Sequence, residues 1–155
     1  MDRAREILLR LLEGLIGLLF MVITGVTLAQ VVCRYALGFS LPWSHELVVL
    51  LLIWVVWLAV PIGLDRGRHL AVTIILDLLP ARSSRLLAGF HLATGLFFLG
   101  LVFFLTFPVA QAFEGMKLLT LPIPTNARYY AATVGSLLSV LVLAARLLRL
   151  KGEGR

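Results

Sequence analysis

Leu47 to Leu64 reads LVVLLLIWVVWLAVPIGL, eighteen consecutive residues without a charge. On one side stand Arg34-Tyr35 and Pro42-Trp43-Ser44-His45-Glu46; on the other stands Asp65-Arg66-Gly67-Arg68-His69. At a rise of roughly 1.5 Å per residue this run is just long enough to cross a hydrocarbon core as a helix. The two polar brackets then belong at opposite faces of a bilayer.

The rest of the chain has the same character. It is 155 residues long, 61% hydrophobic and 14% charged, with a mean hydropathy of +1.02, outside the usual range of a soluble domain. Further uncharged runs extend from Gly14 to Cys33, Leu86 to Phe113 and Tyr129 to Ala145. The expected fold is therefore all-α: an integral membrane protein of four spans, at about residues 8–33, 45–64, 85–113 and 127–148. Residues 1–151 form one domain, and 152–155 form a short polar tail. The N-terminus superficially resembles a signal peptide, but twenty uncharged residues from Gly14 to Cys33 are too many for that apolar core, so a retained helix is expected. The third run is long, twenty-eight residues or roughly 42 Å as a helix, which predicts tilt, emergence beyond the membrane, or a kink at Pro108.

A net charge of +6 raises nucleic acid as a partner, but the basic residues gather at the ends of apolar runs rather than on one solvated face. They suit membrane orientation instead. Eleven Lys and Arg fall in the N-terminal flank, the second loop and the C-terminal end, against three (Arg34, Lys117 and Arg128) on the alternate side. The positive-inside rule then places both termini in the cytoplasm.

Chemistry-bearing constellations are sparse. The single cysteine, Cys33, excludes a Cys-x-x-Cys redox pair and has the ordinary reading of a small buried side chain. His45, His69 and His91 are too scattered for axial haem pairs, and no His-x-x-x-His run, phosphate loop or nucleophile elbow occurs. No metal, cofactor or catalytic activity is expected. Mid-span ionisable groups, the usual mark of an ion pathway, are missing from all four runs, so a role in transport requires a partner that holds the substrate and the coupling ion. Thr24, Thr27, Gln30 and Gln111 read as helix–helix hydrogen-bonding residues.

The loops are more specific. Leu70 to Pro80, LAVTIILDLLP, is apolar but too short to span, and Asp77 interrupts it, so it is expected to lie along the membrane surface. Pro42 and Trp43 predict a first helical turn with an interfacial anchor. Arg34 and Glu46 sit at neighbouring ends of consecutive helices, where an ion pair could fix the hairpin; lipid headgroups or a partner protein are the alternative contacts. Pro122 and Pro124 hold the third loop extended, so the fourth helix is expected to begin after Thr125 or Asn126, with Arg128-Tyr129-Tyr130 as a second interfacial anchor.

Three stretches in order, RYALGFSLPWSHEL, GLDRGRHLAVTIILDLLP and LPIPTNARYYAATVG, resemble the DctQ-like small membrane subunits of tripartite ATP-independent periplasmic (TRAP) transporters. The most specific parts are Arg34-Tyr35, Pro42-Trp43-Ser44 with Glu46, and Arg68-His69 followed by Leu79-Pro80. Thr73 stands where many members carry an acid, so no role of that acid transfers. The resemblance implies a scaffold subunit in the bacterial inner membrane. Its partners would be a large permease subunit of about twelve helices and a periplasmic binding protein that delivers an organic anion, with uptake driven by an ion gradient, usually sodium. On this reading Arg34, Trp43, Glu46, Arg68, His69 and Asp77 are structural or interface candidates, and Arg66, Arg82 and Arg85 face anionic lipid headgroups. Two other classes compete: a membrane anchor for an electron-transfer enzyme, which a haem or quinone signal would support, and an autonomous small channel or efflux protein, which would need polar faces on its spans.

Overall fold

The computed structural model describes residues 2–65 and 81–152. It contains four long helices: α1 (Asp2–Tyr35), α2 (Pro42–Asp65), α3 (Ala81–Ala112) and α4 (Ala127–Gly152). All four are long and apolar enough to cross a membrane. The described extended structure is confined to an isolated bridge between Lys117 and Pro124.

The helices form a row rather than a closed bundle. α4 packs against both α2 and α3, α1 packs against α2, and no other pair of helices touches among the described residues. The spatial order is therefore α1–α2–α4–α3, a layer one helix thick. α4 is the centre of that layer, and small side chains let its neighbours approach: Ala131, Ala132, Ser136 and Ser139 are all buried. The Ser136 and Ser139 hydroxyls are satisfied within the helix, donating to the carbonyls of Thr133 (3.0 Å) and Gly135 (2.7 Å).

The α2–α4 contact is closest at Gly135. A Cβ there would lie 2.5 Å from the Trp57 carbonyl oxygen, 2.7 Å from Trp57 Cβ and 2.9 Å from its carbonyl carbon. The reason lies one turn along α2. Pro61 is buried inside the helix and has no N–H to offer the carbonyl four residues earlier, which is Trp57. One α-hydrogen of Gly135 points along the Cβ direction at that same oxygen, a C–H···O contact that any larger residue would abolish. A neighbouring helix thus covers the backbone group that proline leaves open, as the interior of a bilayer demands.

α1 docks differently. Leu9, Leu12, Ile16, Leu19, Ile23, Val26, Gln30 and Cys33 are its buried or half-buried positions; apart from Glu13, the other described side chains of this helix are exposed. The spacing alternates three and four, a seam of period 3.5 in the manner of a coiled coil. Thr24 and Thr27 fall off that seam and donate to their own helix, to Phe20 (2.9 Å) and Ile23 (2.8 Å). The expectation that they bond a neighbouring helix is therefore corrected, since an i−4 carbonyl is always within a threonine's reach. A side-chain bond between helices joins Thr106 of α3 to Thr133 of α4 at 3.1 Å.

α3 runs as one helix through Pro108 and, at 32 residues or roughly 48 Å, is longer than a hydrocarbon core. The short apolar segment from Leu70 to Pro80 lies outside the described residues.

Candidate functional site

Two loops and four helix ends lie at the end of the layer away from both termini. α1 closes at Tyr35. Gly38 follows with φ 73°, a left-handed turn that glycine adopts without strain, and the Phe39 N–H reaches back to the Cys33 carbonyl at 3.2 Å. α2 then starts on Pro42, whose fixed φ suits a first helical residue and whose missing N–H would be unpaired there anyway. Ser44, fully buried, donates its hydroxyl to the Leu41 carbonyl at 2.6 Å and sets the entry angle. Trp43 is exposed beside it.

On the other side of α2, the α3–α4 connection forms a small hairpin. Gly115 (φ 86°) turns the chain after α3, and the Met116 N–H bonds the Phe113 carbonyl at 3.3 Å. Lys117 then faces Pro124 across a bridge whose bonds run from the Leu118 N–H to the Ile123 carbonyl (2.9 Å) and from the Thr125 N–H to the Met116 carbonyl (2.8 Å). Neither Lys117 nor Pro124 bonds the other, so the missing N–H of Pro124 costs nothing. α4 begins at Ala127, directly after Asn126, whose carbonyl accepts from the Tyr130 N–H at 2.9 Å. Phe113 stacks on Tyr129 with ring centroids 5.0 Å apart, joining the end of α3 to the start of α4.

Glu46 ties this hairpin to α2. One carboxylate oxygen accepts from the Leu119 N–H at 3.1 Å; the other accepts from the Thr120 N–H at 2.9 Å and the Thr120 hydroxyl at 2.5 Å. Two successive amides and a hydroxyl converging on one carboxylate make a charge-assisted set. The expected Arg34–Glu46 ion pair is therefore absent: both oxygens of Glu46 are taken by loop donors, and Arg34 is exposed at the end of α1. The loop amides prevail because they have no partners within the hairpin, whereas an exposed guanidinium can be solvated.

The remaining candidates are distributed as follows. Arg66, Arg68, His69 and Asp77 lie outside the described residues. Arg82 and Arg85 stand on the first turns of α3, and their side chains are outside the described part. Among the described residues no cluster of three metal-ligating side chains occurs. Sequence reasoning missed Leu119 and Thr120 as partners of Glu46, because seventy-odd residues separate them and backbone donors leave no mark on composition. A detectable signal did exist: an acid at the very edge of an uncharged run requires a specific partner.

The family described as "Tripartite ATP-independent periplasmic transporters, DctQ component" matches residues 23–152, which takes in the C-terminal part of α1 and all of α2, α3 and α4. The chain is also 32% identical over 73 residues to the sialic acid TRAP transporter permease protein SiaT of Haemophilus influenzae (strain 86-028NP). That alignment spans 47% of this chain and 12% of SiaT. With four membrane-spanning helices and a family match over most of its length, the chain belongs to the DctQ family of TRAP transporter components, and so to the multi-pass proteins of the inner membrane.

Proposed function

We propose that this chain is the fixed scaffold subunit against which a large, roughly twelve-helix permease subunit moves an organic anion. A periplasmic binding protein delivers the anion, a carboxylate, and a sodium gradient drives uptake. The observation that carries this reading is the open row of helices. A layer one helix thick, with α1 exposed outside its single seam, has no interior in which to hold a solute, yet it widens any partner packed beside it. The uncharged middle of each span supports the same division of labour, since the groups that bind solute and ion must then lie in another polypeptide.

Both termini lie in the cytoplasm on this reading, and Arg66, Arg68, Arg82 and Arg85 hold the frame in register against anionic headgroups, at about 1 kcal/mol per basic residue near the surface. The end carrying Trp43 and Glu46 then faces the periplasm, where the binding protein arrives. α1 and α2 form the edge that grips the large subunit.

Reconstitution tests the proposal. Proteoliposomes holding both membrane subunits should take up a labelled carboxylate when the binding protein and an inward sodium gradient are supplied, and vesicles with either subunit alone should not. Uptake by this chain alone would remove the scaffold role, and full uptake by the large subunit alone would do the same.

A further inference from the structure

The hairpin tip offers a contact that the scaffold role does not require. Leu119 is 97% exposed, while its neighbour Leu118 is buried at 8%. The chain is extended at Lys117, so successive side chains alternate: Leu118 points into the protein, and Lys117 and Leu119 are both exposed. The depth of the tip is set by Glu46, which bonds the Leu119 and Thr120 amides. Glu46 is the fifth residue of α2, next to the uncharged run that begins at Leu47, and helical side chains lean toward the N-terminus. Its carboxylate therefore sits near the turn that carries Trp43. This is the level at which apolar span gives way to headgroups, where Tyr129 and Tyr130 also begin α4.

We propose that the Leu119 tip is an interfacial membrane anchor, with its leucine in the outermost acyl region of the leaflet beside it and Lys117 reaching up to a lipid phosphate. A bare leucine held at the membrane boundary, with a flexible cation two residues away, has the chemistry of a lipid contact. Glu46 acts as the positioning residue: by accepting the loop's amide hydrogens it removes the polar groups that would otherwise keep the tip in water. The inference depends on the membrane spans, and holds whichever face of the membrane the termini occupy.

The test uses the full chain in phosphatidylethanolamine–phosphatidylglycerol vesicles, with a nitroxide on Leu119→Cys in a Cys33→Ala background. Collision rates with oxygen, which concentrates in lipid, and with a water-soluble nickel chelate are compared with those for labels on Val56→Cys, mid-span and exposed, and Ser40→Cys, in the first loop. The Leu119 label should favour oxygen, with a ratio between the two references, and adding Glu46→Gln should shift that ratio toward the Ser40 value. A ratio equal to that of Ser40 in the parent background overturns the proposal, as does immobilisation of the label only when binding protein is added, which would make the tip a protein contact. If Glu46→Gln fails to fold, the parent comparison still decides.

Discussion

Replacing Gly135 by alanine should separate two kinds of glycine in this chain. The new methyl would lie 2.5 Å from the Trp57 carbonyl oxygen and under 3 Å from two Trp57 carbons. Ordinary contact between such atoms begins near 3.5 Å, so α2 and α4 must part by roughly 1 Å at their closest point. Overpacking of this kind costs about 1–3 kcal/mol, and loss of the C–H···O contact adds about 0.5–1 kcal/mol. The better helix propensity of alanine returns about 1 kcal/mol, leaving a net loss of about 0.5–3 kcal/mol. Gly100 makes the control, since nothing lies within 4 Å of its Cβ direction, and Gly100→Ala should be neutral or stabilising. Unfolding of the purified chain in bicelles, followed by helical signal against added dodecyl sulfate, measures both. A sharper form adds Trp57→Ala. All three clashing atoms belong to the backbone or Cβ of Trp57, and alanine retains them, so trimming the indole should not relieve Gly135→Ala. If Gly135→Ala proves as stable as Gly100→Ala, or if Trp57→Ala rescues it, the close approach of α2 and α4 is wrong.

The interhelical Thr106–Thr133 bond predicts a small positive coupling, about 0.6 kcal/mol, in a double-mutant cycle of the two Thr→Val changes. Whichever hydroxyl donates across the pair gives up its own-helix carbonyl, Val102 at 2.7 Å for Thr106 or Tyr129 at 3.2 Å for Thr133, which keeps the value low; zero coupling would refute the contact. Glu46→Ala should speed hydrogen exchange at the Leu119 and Thr120 amides while leaving the bridge amides of Leu118 and Thr125 protected. Equal acceleration at all four would mean that Glu46 supports the whole hairpin rather than its tip.

Much of the architecture could be read from the chain itself. Charges spaced around four uncharged runs are enough to define four spans, because a bilayer tolerates no unpaired charge and no unsatisfied backbone in its core. Pro122 and Pro124 forbid helix, so α4 could start only beyond them, and it does so at Ala127. The place of Trp43 in the first turn of α2 was legible for the same kind of reason, since Pro42 suits a first helical residue. The partner of Glu46 was not legible. A nearby arginine, lipid headgroups and a partner protein are the contacts the sequence offers Glu46, and two distant backbone amides are not among them.

The order of the helices, α1–α2–α4–α3, was decided by tertiary packing alone. In a soluble protein the buried face of a helix is apolar and the exposed face polar, and the sequence reports which is which. In a membrane both faces are apolar, and α2 is apolar all round its middle turns. What selects neighbours there is close fit: a glycine opposite a carbonyl that a proline has stripped of its donor, one pair of threonines, one carboxylate over two amides. Residue identities and spacing determined that this chain crosses a bilayer four times and which residues stand at its edges. Only the folded structure determined which helices touch, because that depends on shape and on backbone groups that hydrophobicity does not record.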